Sequence, residues 1–464
     1  MEKILEIQKK AFRENGPPTY QSRIDKLRRC IALIESYQTK IIEALNQDFQ
    51  NRSKFEIRIS EIDQTIRNLL FTTKNLKNWM RPKKRMSSLG TSLLGAKSLM
   101  MPSPLGSVGI IAPWNFPVAM VFYPAASILA AGNSIMAKPS EITPNTASLI
   151  KEAVEKYFDA SEFSIFLGGP KVGEKFSDLP LDHLLYTGSN KIAKKVVAAT
   201  SKNLVPMTLE LGGKSPTIVS DNANISLAAK RILFAKTLNA GQICLSPDYI
   251  FLKKGLEQEF VYEMKKTFST FYSDNNVNDY TSIVNINHYD RIESYINDAI
   301  SKGATVTSLG DVDSKDKNTI STKLIFGVND TMEVMKNEIF GPLLPIMLYE
   351  NLSEVVDYIN KHDHPLGLYF FGKNKSEQNF IINNTRSGGV TINDAMFHIL
   401  HSRLPFGGVG PSGYGCYHGY EGFLNFSNLR AIYYQAHFDS ILSLIRPPRG
   451  KLFNLLSTIM KRLG

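Results

Sequence analysis

Short β-rich runs alternate with helical runs along most of this 464-residue chain, and this alternation restricts the fold more than any other feature. An apolar run at 106–114 is followed by a helical run at 117–131 and a second apolar run at 134–138. Strand, helix and strand in this order predict right-handed crossovers and a parallel sheet covered on both faces. A second alternating stretch begins near 206 and ends near 393, so we expect two doubly wound α/β domains.

Other segments should flank these two domains. Apolar residues with helical spacing predict amphipathic helices in the first 80 residues. The sequence from 81 to 104 is first basic and then rich in Gly, Ser and Pro, as expected for a protruding hairpin or arm. The predicted division is a first domain at 1–80 and 104–208, a second domain at 209–393, and an oligomerisation arm and C-terminal tail at 81–103 and 420–464.

The formal charge of +11 raises the question of a nucleic acid or membrane partner. Basic residues are spread along the chain without interleaved aromatic residues, so no nucleic-acid partner is expected. The uncharged stretch 98–137 contains several prolines and is interpreted as buried core, not as a membrane span. The tail 438–464 predicts a basic amphipathic helix, which we expect to dock on protein, with peripheral membrane contact as the alternative.

Only three cysteines occur, and none forms a C-x-x-C pair. The small number and the spacing of the cysteines exclude both a disulfide framework and a structural zinc site. They favour a reducing compartment, the cytoplasm. No metal is expected. The three are Cys30, Cys244 and Cys416.

One glycine motif looks like a nucleotide site but lacks the right surroundings. Gly408-x-Gly410-x-x-Gly413 matches the dinucleotide pattern but follows no strand and opens no helix. A better phosphate candidate is the turn at Gly188 and Ser189, between a predicted strand and helix, although an ordinary turn explains it equally well.

Candidate catalytic groups come from three separate places. Cys244 lies in a neutral context of small residues, where a cysteine is more often a buried apolar residue than a nucleophile. Glu210 is set among apolar residues before two glycines, a setting that raises the pKa of a carboxyl group toward use as a general base. Asn115 follows a buried strand and could donate a hydrogen bond to an oxyanion.

Seven motifs, in this order along the chain, resemble those of the aldehyde dehydrogenase superfamily, and the resemblance spans residues 20 to 430. The residues after Cys244 and the segment 410–422 are similar to the class 3 branch, and within it to coniferyl aldehyde dehydrogenases. The motifs are Pro113-Trp114-Asn115-Phe116-Pro117, Lys138-Pro139-Ser140-Glu141, Thr187-Gly188-Ser189, Glu210-Leu211-Gly212-Gly213-Lys214-Ser215-Pro216, Gly241-Gln242-Ile243-Cys244, Glu338-Ile339-Phe340-Gly341-Pro342, and Pro405-Phe406-Gly407-Gly408-Val409-Gly410.

The resemblance implies that the first domain binds NAD(P) and the second is catalytic. It implies that Cys244 attacks an aldehyde and that Asn115 holds the oxyanion of the thiohemiacetal. Hydride then leaves for the nicotinamide, and Glu210 activates the water that hydrolyses the thioester to the acid.

The resemblance also implies a set of contacts to NAD or NADP. Glu141 would bind the ribose hydroxyls and repel a 2′-phosphate, which favours NAD, but class 3 relatives accept both cofactors. The residues expected to bind the cofactor are Trp114, Lys138, Glu141, Gly188, Ser189, Glu338 and Phe340.

Three alternatives to this function are considered. An enzyme of the same fold could transfer the thioester to coenzyme A, but a water-activating Glu210 argues against it. The substrate could be a fatty or other medium- or long-chain aldehyde instead of coniferyl or another aromatic aldehyde. From another class, the chain could be a non-catalytic protein that binds a membrane surface. A homodimer is expected.

Overall fold

The computed structural model describes residues 1–85, 95–273 and 276–435, and a few single residues nearer the C-terminus. Nearly all of the predicted tail helix, 438–464, therefore lies outside the described residues. The described α-helices are Glu2–Asn15, Tyr20–Ser36, Gln38–Phe49, Lys54–Ile57, Gln64–Trp79, Ala119–Ala131, Pro144–Tyr157, Pro170–Ser177, Asn190–Thr200, Ile225–Thr237, Glu257–Phe271, Ile286–Ser301, Glu333–Lys336, Leu352–Lys361, Lys375–Asn384 and Gly419–Asn425. The strands are β1 (Lys83–Arg85), β2 (Lys97–Pro104), β3 (Ser107–Ile111), β4 (Ser134–Lys138), β5 (Phe163–Ile165), β6 (His183–Thr187), β7 (Met207–Glu210), β8 (Pro216–Val219), β9 (Tyr249–Lys253), β10 (Thr305–Ser308), β11 (Lys323–Phe326), β12 (Leu343–Tyr349), β13 (Gly367–Phe371), β14 (Gly389–Ile392), β15 (Gly413–Tyr414) and β16 (Ser427–Tyr434).

Two large sheets confirm the predicted α/β class. The first has six strands in the order β15-β7-β6-β3-β4-β5, and the second has seven in the order β10-β11-β12-β9-β8-β13-β14. All neighbours pair in parallel except β15 on β7 and β10 on β11, so each sheet has an antiparallel edge strand. The central strands are buried on both faces, as parallel strands covered by helices must be.

The second sheet begins later in the sequence than expected. The alternating pattern near 206 was assigned to the second sheet, but β7 pairs in parallel with β6 and so extends the first sheet. The glycines Gly212 and Gly213 follow β7, and the second sheet starts only at β8. This places Glu210, the last residue of β7, at the carboxyl edge of the first sheet.

A small third sheet confirms the predicted hairpin and corrects one interpretation. β1 pairs antiparallel with β2, and β2 pairs with β16 along its whole length. Residues 98–104 were interpreted as buried core, but they form part of β2, which is only half-buried because it lies in this sheet. Within the described residues no helix is both long and apolar enough to span a membrane.

Candidate active site

One cavity of about 1530 Å³ lies at the carboxyl ends of the strands of the first sheet and next to the segments that lead into β8, β9, β12 and β13 of the second sheet. Parallel strands commonly bind ligands beyond their carboxyl ends, because the loops that follow them converge there. The loop after β3, the end of β4, the turn after β6 and the end of β7 all contribute to its walls. Every site residue predicted from the sequence lines this cavity: Trp114, Asn115, Lys138, Glu141, Gly188, Ser189, Glu210, Cys244, Glu338 and Phe340.

Cys244 and Asn115 are joined through one main-chain carbonyl. The buried Asn115 side chain donates from Nδ2 to the carbonyl oxygen of Gln242 at 3.1 Å, and Gln242 lies two residues before Cys244. Cys244 itself is half-buried. Burial and the nearby charges of Glu338 and Glu210 raise the pKa of the Cys244 thiol to about 12, so without a ligand the thiol is protonated near neutral pH.

The turn before Cys244 is left-handed over three successive residues. Asn239, Ala240 and Gly241 have φ values of 48°, 50° and 72°. A Cβ at Gly241 would lie 2.4 Å from the carbonyl oxygen of Gly341, so only glycine fits there. Asn239 stabilises the turn by donating from Nδ2 to the carbonyl oxygens of Asn115 and Gln242, both at 3.2 Å. Sequence reasoning missed Asn239 because these contacts join distant segments.

Glu210 has the environment that the sequence predicted. Its side chain is buried at the end of β7, and neither carboxyl oxygen has a hydrogen-bond partner within the described part of the chain. Desolvation raises the pKa of Glu210 well above its ordinary value. A buried carboxylate that faces a cavity without a partner is suited to accept a proton from a molecule that enters that cavity.

Glu338 lies against the glycine pair that follows β7. Burial and then Asp248 raise the pKa of Glu338 to about 8. A Cβ at Gly212 would lie 2.1 Å from Oε1 of Glu338, so the absence of a side chain there makes room for the carboxylate. Oε1 is buried and has no partner among the described residues, which leaves it available to a ligand hydroxyl.

The main chain after Glu338 is held from two sides. Asp248 accepts a hydrogen bond from the amide of Ile339 at 2.9 Å and forms an ion pair with Lys214. Arg291 donates from Nη1 to the carbonyl oxygen of Ile339 at 2.8 Å and from Nη2 to that of Phe340 at 3.3 Å. These anchors were not found in the sequence, and they fix the position of Glu338.

Three rings pack together beside this segment. The ring centroids of Trp114 and Phe340 are 5.3 Å apart, and those of Trp114 and His288 are 4.9 Å apart. Desolvation, with a smaller contribution from Arg291, lowers the pKa of His288 to about 4, so this ring is neutral. His288 was missed because a single histidine on a helix carries no distinctive signal.

The other end of the cavity is built for a charged ligand. Nζ of the buried Lys138 lies 2.8 Å from Oε2 of Glu141, at the end of β4. Ser189 is the N-cap of helix Asn190–Thr200, and its side chain does not cap that helix. The first amides of a helix lack intrahelical acceptors, so this turn can bind a phosphate.

The rejected glycine motif and the other two cysteines do not form competing sites. Gly410–Ser412 is a short 3₁₀ turn that follows no strand, and a Cβ at Gly408 would lie 2.1 Å from the carbonyl oxygen of Ser412. Cys30 is buried inside a helix, and Cys416 is not among the residues that line the cavity. Within the described residues, no group of three potential ligands could hold a metal ion.

Comparison with known proteins identifies the family. Residues 1–432 match the model of the aldehyde dehydrogenase family. This chain belongs to the aldehyde dehydrogenase family. Aldehyde dehydrogenases are oxidoreductases that oxidise aldehydes with NAD or NADP as the electron acceptor.

This aldehyde dehydrogenase is similar to several bacterial members along nearly its whole length. It is 44% identical to a probable coniferyl aldehyde dehydrogenase of Caulobacter vibrioides, covering 97% of this chain and 94% of that one. It is 38% identical to a 4,4′-diaponeurosporen-aldehyde dehydrogenase of Staphylococcus aureus, covering 95% and 94%. The substrate-bound structure of Staphylococcus aureus AldH matches with a TM-score of 0.94 at 35% identity, over 99% of both chains.

Proposed function

We propose that this aldehyde dehydrogenase converts an aromatic aldehyde of the coniferyl type to its carboxylic acid, with Cys244 as nucleophile, Asn115 as oxyanion donor and Glu210 as general base. The observation that carries the proposal is that these three side chains line one cavity, although they follow three different strands or turns. The overall reaction consumes the aldehyde, water and NAD(P)⁺, and yields the acid, NAD(P)H and a proton.

In the first half of the reaction, Cys244 forms a bond to the aldehyde carbon. The thiol must first lose its proton to water that enters the cavity, because the thiolate is the nucleophile. As sulfur attacks, the carbonyl oxygen becomes negative. An amide nitrogen carries two hydrogens, and the Asn115 bond to Gln242 uses one, so the second can stabilise the oxyanion together with the main-chain N–H of Cys244.

The residues around the cavity fit a nicotinamide dinucleotide. The partnerless Oε1 of Glu338 and the room left by Gly212 suit a ribose hydroxyl, while the turn at Gly188 and Ser189 suits the pyrophosphate. Trp114 and Phe340 would border the nicotinamide, and Lys138 and Glu141 the adenosine ribose. When bound, the cofactor accepts a hydride from the carbon attached to Cys244.

In the second half, Glu210 accepts a proton from water, which attacks the thioester carbon. The C–S bond breaks, the acid leaves, and the Cys244 thiolate is restored. The raised pKa of Glu210 suits this role because a stronger base accepts a proton more readily. A base placed here also favours release of an acid over transfer to coenzyme A. Product analysis with and without coenzyme A separates the two, since acid must form at the same rate in both.

The apolar part of the cavity wall supports an aromatic substrate. Phe116, Met120, Ile243, Phe406 and Tyr417 line it. Flat aromatic side chains pack well against an aromatic aldehyde, and such pairs contribute about 0.5–1.5 kcal/mol beyond their buried area. The relatives named for coniferyl aldehyde point the same way.

A turnover panel tests the substrate class. Coniferyl-type aldehydes and saturated aldehydes of ten or more carbons are compared by kcat/KM, with NAD and with NADP. Higher kcat/KM for the aromatic series supports the proposal, and the reverse order favours a fatty aldehyde dehydrogenase. Absence of turnover with every aldehyde would favour the non-catalytic alternative.

We further propose a homodimer in the cytoplasm. The third sheet supports the dimer, since Leu429, Tyr433 and Tyr434 are exposed large side chains on β16. The free thiols of all three cysteines support a reducing compartment. Light scattering on the purified full chain should give twice the mass of 52.0 kDa, and a monomer would contradict the proposal.

A further inference from the structure

Two carboxylates on one short segment reach into the protein behind the active site. Segment 54–63 comprises the helix Lys54–Ile57 and a continuous π-helical turn, Arg58–Asp63. Glu61 lies within this π-helical turn, and Glu56 lies five residues earlier, in the preceding helix. Such turns are rare and occur frequently at functional sites. The other side of segment 54–63 faces solvent, where Phe55 and Ile59 are exposed.

Glu56 binds the loop that carries Cys244. Its Oε2 accepts a hydrogen bond from the main-chain amide of Asn239 at 3.0 Å and another from the hydroxyl of Thr281 at 2.8 Å. Asn239 is the first residue of the left-handed turn that leads through Gln242 to Cys244. The carboxylate therefore holds the point at which this unfavourable backbone conformation begins.

Glu61 binds the segment that follows Asn115. Its Oε2 accepts hydrogen bonds from the amides of Val118 and Ala119, at 3.1 and 2.8 Å. These amides begin helix Ala119–Ala131, so a negative charge is favourable there. Oε1 accepts from Nη1 of Arg52 at 3.0 Å in a fully buried ion pair.

The buried arginine completes the connection between the two carboxylates. The Arg52 guanidinium lies 4.9 Å from the centroid of the Phe116 ring, next to Asn115 in the chain. Arg52 also interacts electrostatically with both Glu56 and Glu61. One compact group of charges thus supports the loops of Cys244 and Asn115 together.

We propose that Glu56 and Glu61 are positioning residues, which hold the Cys244 loop and the Asn115 loop at the separation that the oxyanion step requires. This inference rests on the proposed function of Cys244 and Asn115. Neither carboxylate is among the residues that line the cavity, so neither is proposed to touch the substrate. A displacement of about 1 Å between reacting groups is sufficient to lower a rate about 10²-fold, which makes such support consequential.

The negative charge of Glu56 does not stabilise the folded protein. Burial raises the pKa of Glu56 to about 7, although the hydrogen bonds from Asn239 and Thr281 and the charge of Arg52 act in the opposite direction and Asp279 adds to the increase. When the pKa of a carboxyl group is raised in the folded state, the protein loses stability as the pH rises from the unfolded-state pKa through the folded-state pKa. Replacement of Glu56 by a neutral glutamine should therefore leave the protein at least as stable at pH 8. If Glu56 served only to stabilise the fold, the same substitution should lower the Tm.

The test combines Glu56→Gln with a matched control, Asp63→Asn, which removes an exposed carboxylate from segment 54–63. At pH 8 we would measure kcat, the Tm, the Kd of NADH, and the rate at which iodoacetamide alkylates Cys244, located by peptide mapping. We expect Glu56→Gln to lower kcat and the alkylation rate about tenfold or more, with the Tm not reduced and the Kd unchanged. Thr281→Val, which removes one donor to the same oxygen, should act in the same direction by a smaller factor.

Two results would overturn the inference. In one, kcat and alkylation of Glu56→Gln equal those of Asp63→Asn. In the other, activity falls only in parallel with the Tm and with NADH binding, as general destabilisation would cause. Failure of the proposed function is distinguishable, because Cys244→Ala would then retain turnover whatever Glu56→Gln does.

Discussion

The side-chain amide of Asn115 and the main-chain carbonyl of Gln242 are joined by a hydrogen bond of 3.1 Å, which fixes that amide two residues from Cys244. A donor fixed before the reaction needs no reorganisation when negative charge develops, and this is the main advantage of an oxyanion site. The bond therefore links the position of the nucleophile to the position of the group that stabilises its product.

Replacement of Asn115 by alanine should lower kcat about 10²–10³-fold, because the transition state loses one fixed donor. The Kd of NADH should not change, since the amide is assigned to the substrate and not to the cofactor. Measurement of NADH formation by stopped flow gives kcat, and fluorescence titration gives the Kd of NADH. A loss of less than about threefold would argue that another group holds the oxyanion.

Replacement of Glu210 by glutamine should separate the two halves of the reaction. NADH should form in a burst of one equivalent and then slow, because the thioester is no longer hydrolysed. In the wild-type enzyme, turnover should fall as the pH drops through the raised pKa of Glu210, since the protonated group is no base. That acid limb should be absent from the residual steady-state rate of the variant.

The same variant makes a prediction about stability. The folded-state pKa of Glu210 is raised, so the folded protein binds more protons than the unfolded chain between the two pKa values. Stability is then lost as the pH rises through that interval, and Glu210→Gln should increase the Tm at pH 8. Thermal unfolding of both proteins at pH 5 and pH 8 checks this. An unchanged or lower Tm at pH 8 would contradict the assigned burial.

Substitution of Gly212 by alanine should weaken cofactor use specifically. The new Cβ would lie 2.1 Å from Oε1 of Glu338 and would displace that carboxylate. We expect the KM for NAD to rise about tenfold, which corresponds to the loss of one hydrogen bond to a charged group. Glu338→Gln should raise the KM for NAD less, because the glutamine side chain occupies the same position as the glutamate. Equal KM values in wild type and Gly212→Ala would refute this role for Glu338.

Replacement of Glu141 by glutamine should shift the preference toward NADP. Two like charges about 4 Å apart repel by about 1–4 kcal/mol near a protein surface. Removal of the carboxylate should therefore increase the kcat/KM ratio of NADP to NAD about fivefold or more, while Lys138 remains. Initial rates with each cofactor give this ratio. An unchanged ratio would mean that the adenosine ribose does not bind next to Glu141.

Sequence patterns were sufficient for the fold class, and together with the family resemblance they identified ten of the residues that line the cavity. Glu210 illustrates why, since its apolar neighbours and following glycines reflect a local environment that the structure retains. The boundary between the two sheets was misplaced because the sequence pattern of β7 is the same whether the strand pairs with β6 or begins a new sheet. Strand pairing is a long-range property that local pattern does not encode.

The supporting residues could not be predicted for a related reason. Glu56 and Asn239 are 183 positions apart in the chain and are in contact only in the folded structure. The charges of Glu56 and Glu61 look like those of any amphipathic helix surface. Only the three-dimensional arrangement distinguishes a buried carboxylate from a solvated one.

The most direct test is the intact mass of the Glu210→Gln enzyme after reaction with a coniferyl-type aldehyde and NAD. A thioester adds the mass of the aldehyde less two hydrogen atoms, and peptide mapping should place that addition on Cys244. The account predicts this single adduct and its absence in the Cys244→Ala, Glu210→Gln double variant. An adduct on Cys416 or Cys30, or continued turnover by Cys244→Ala, would contradict it.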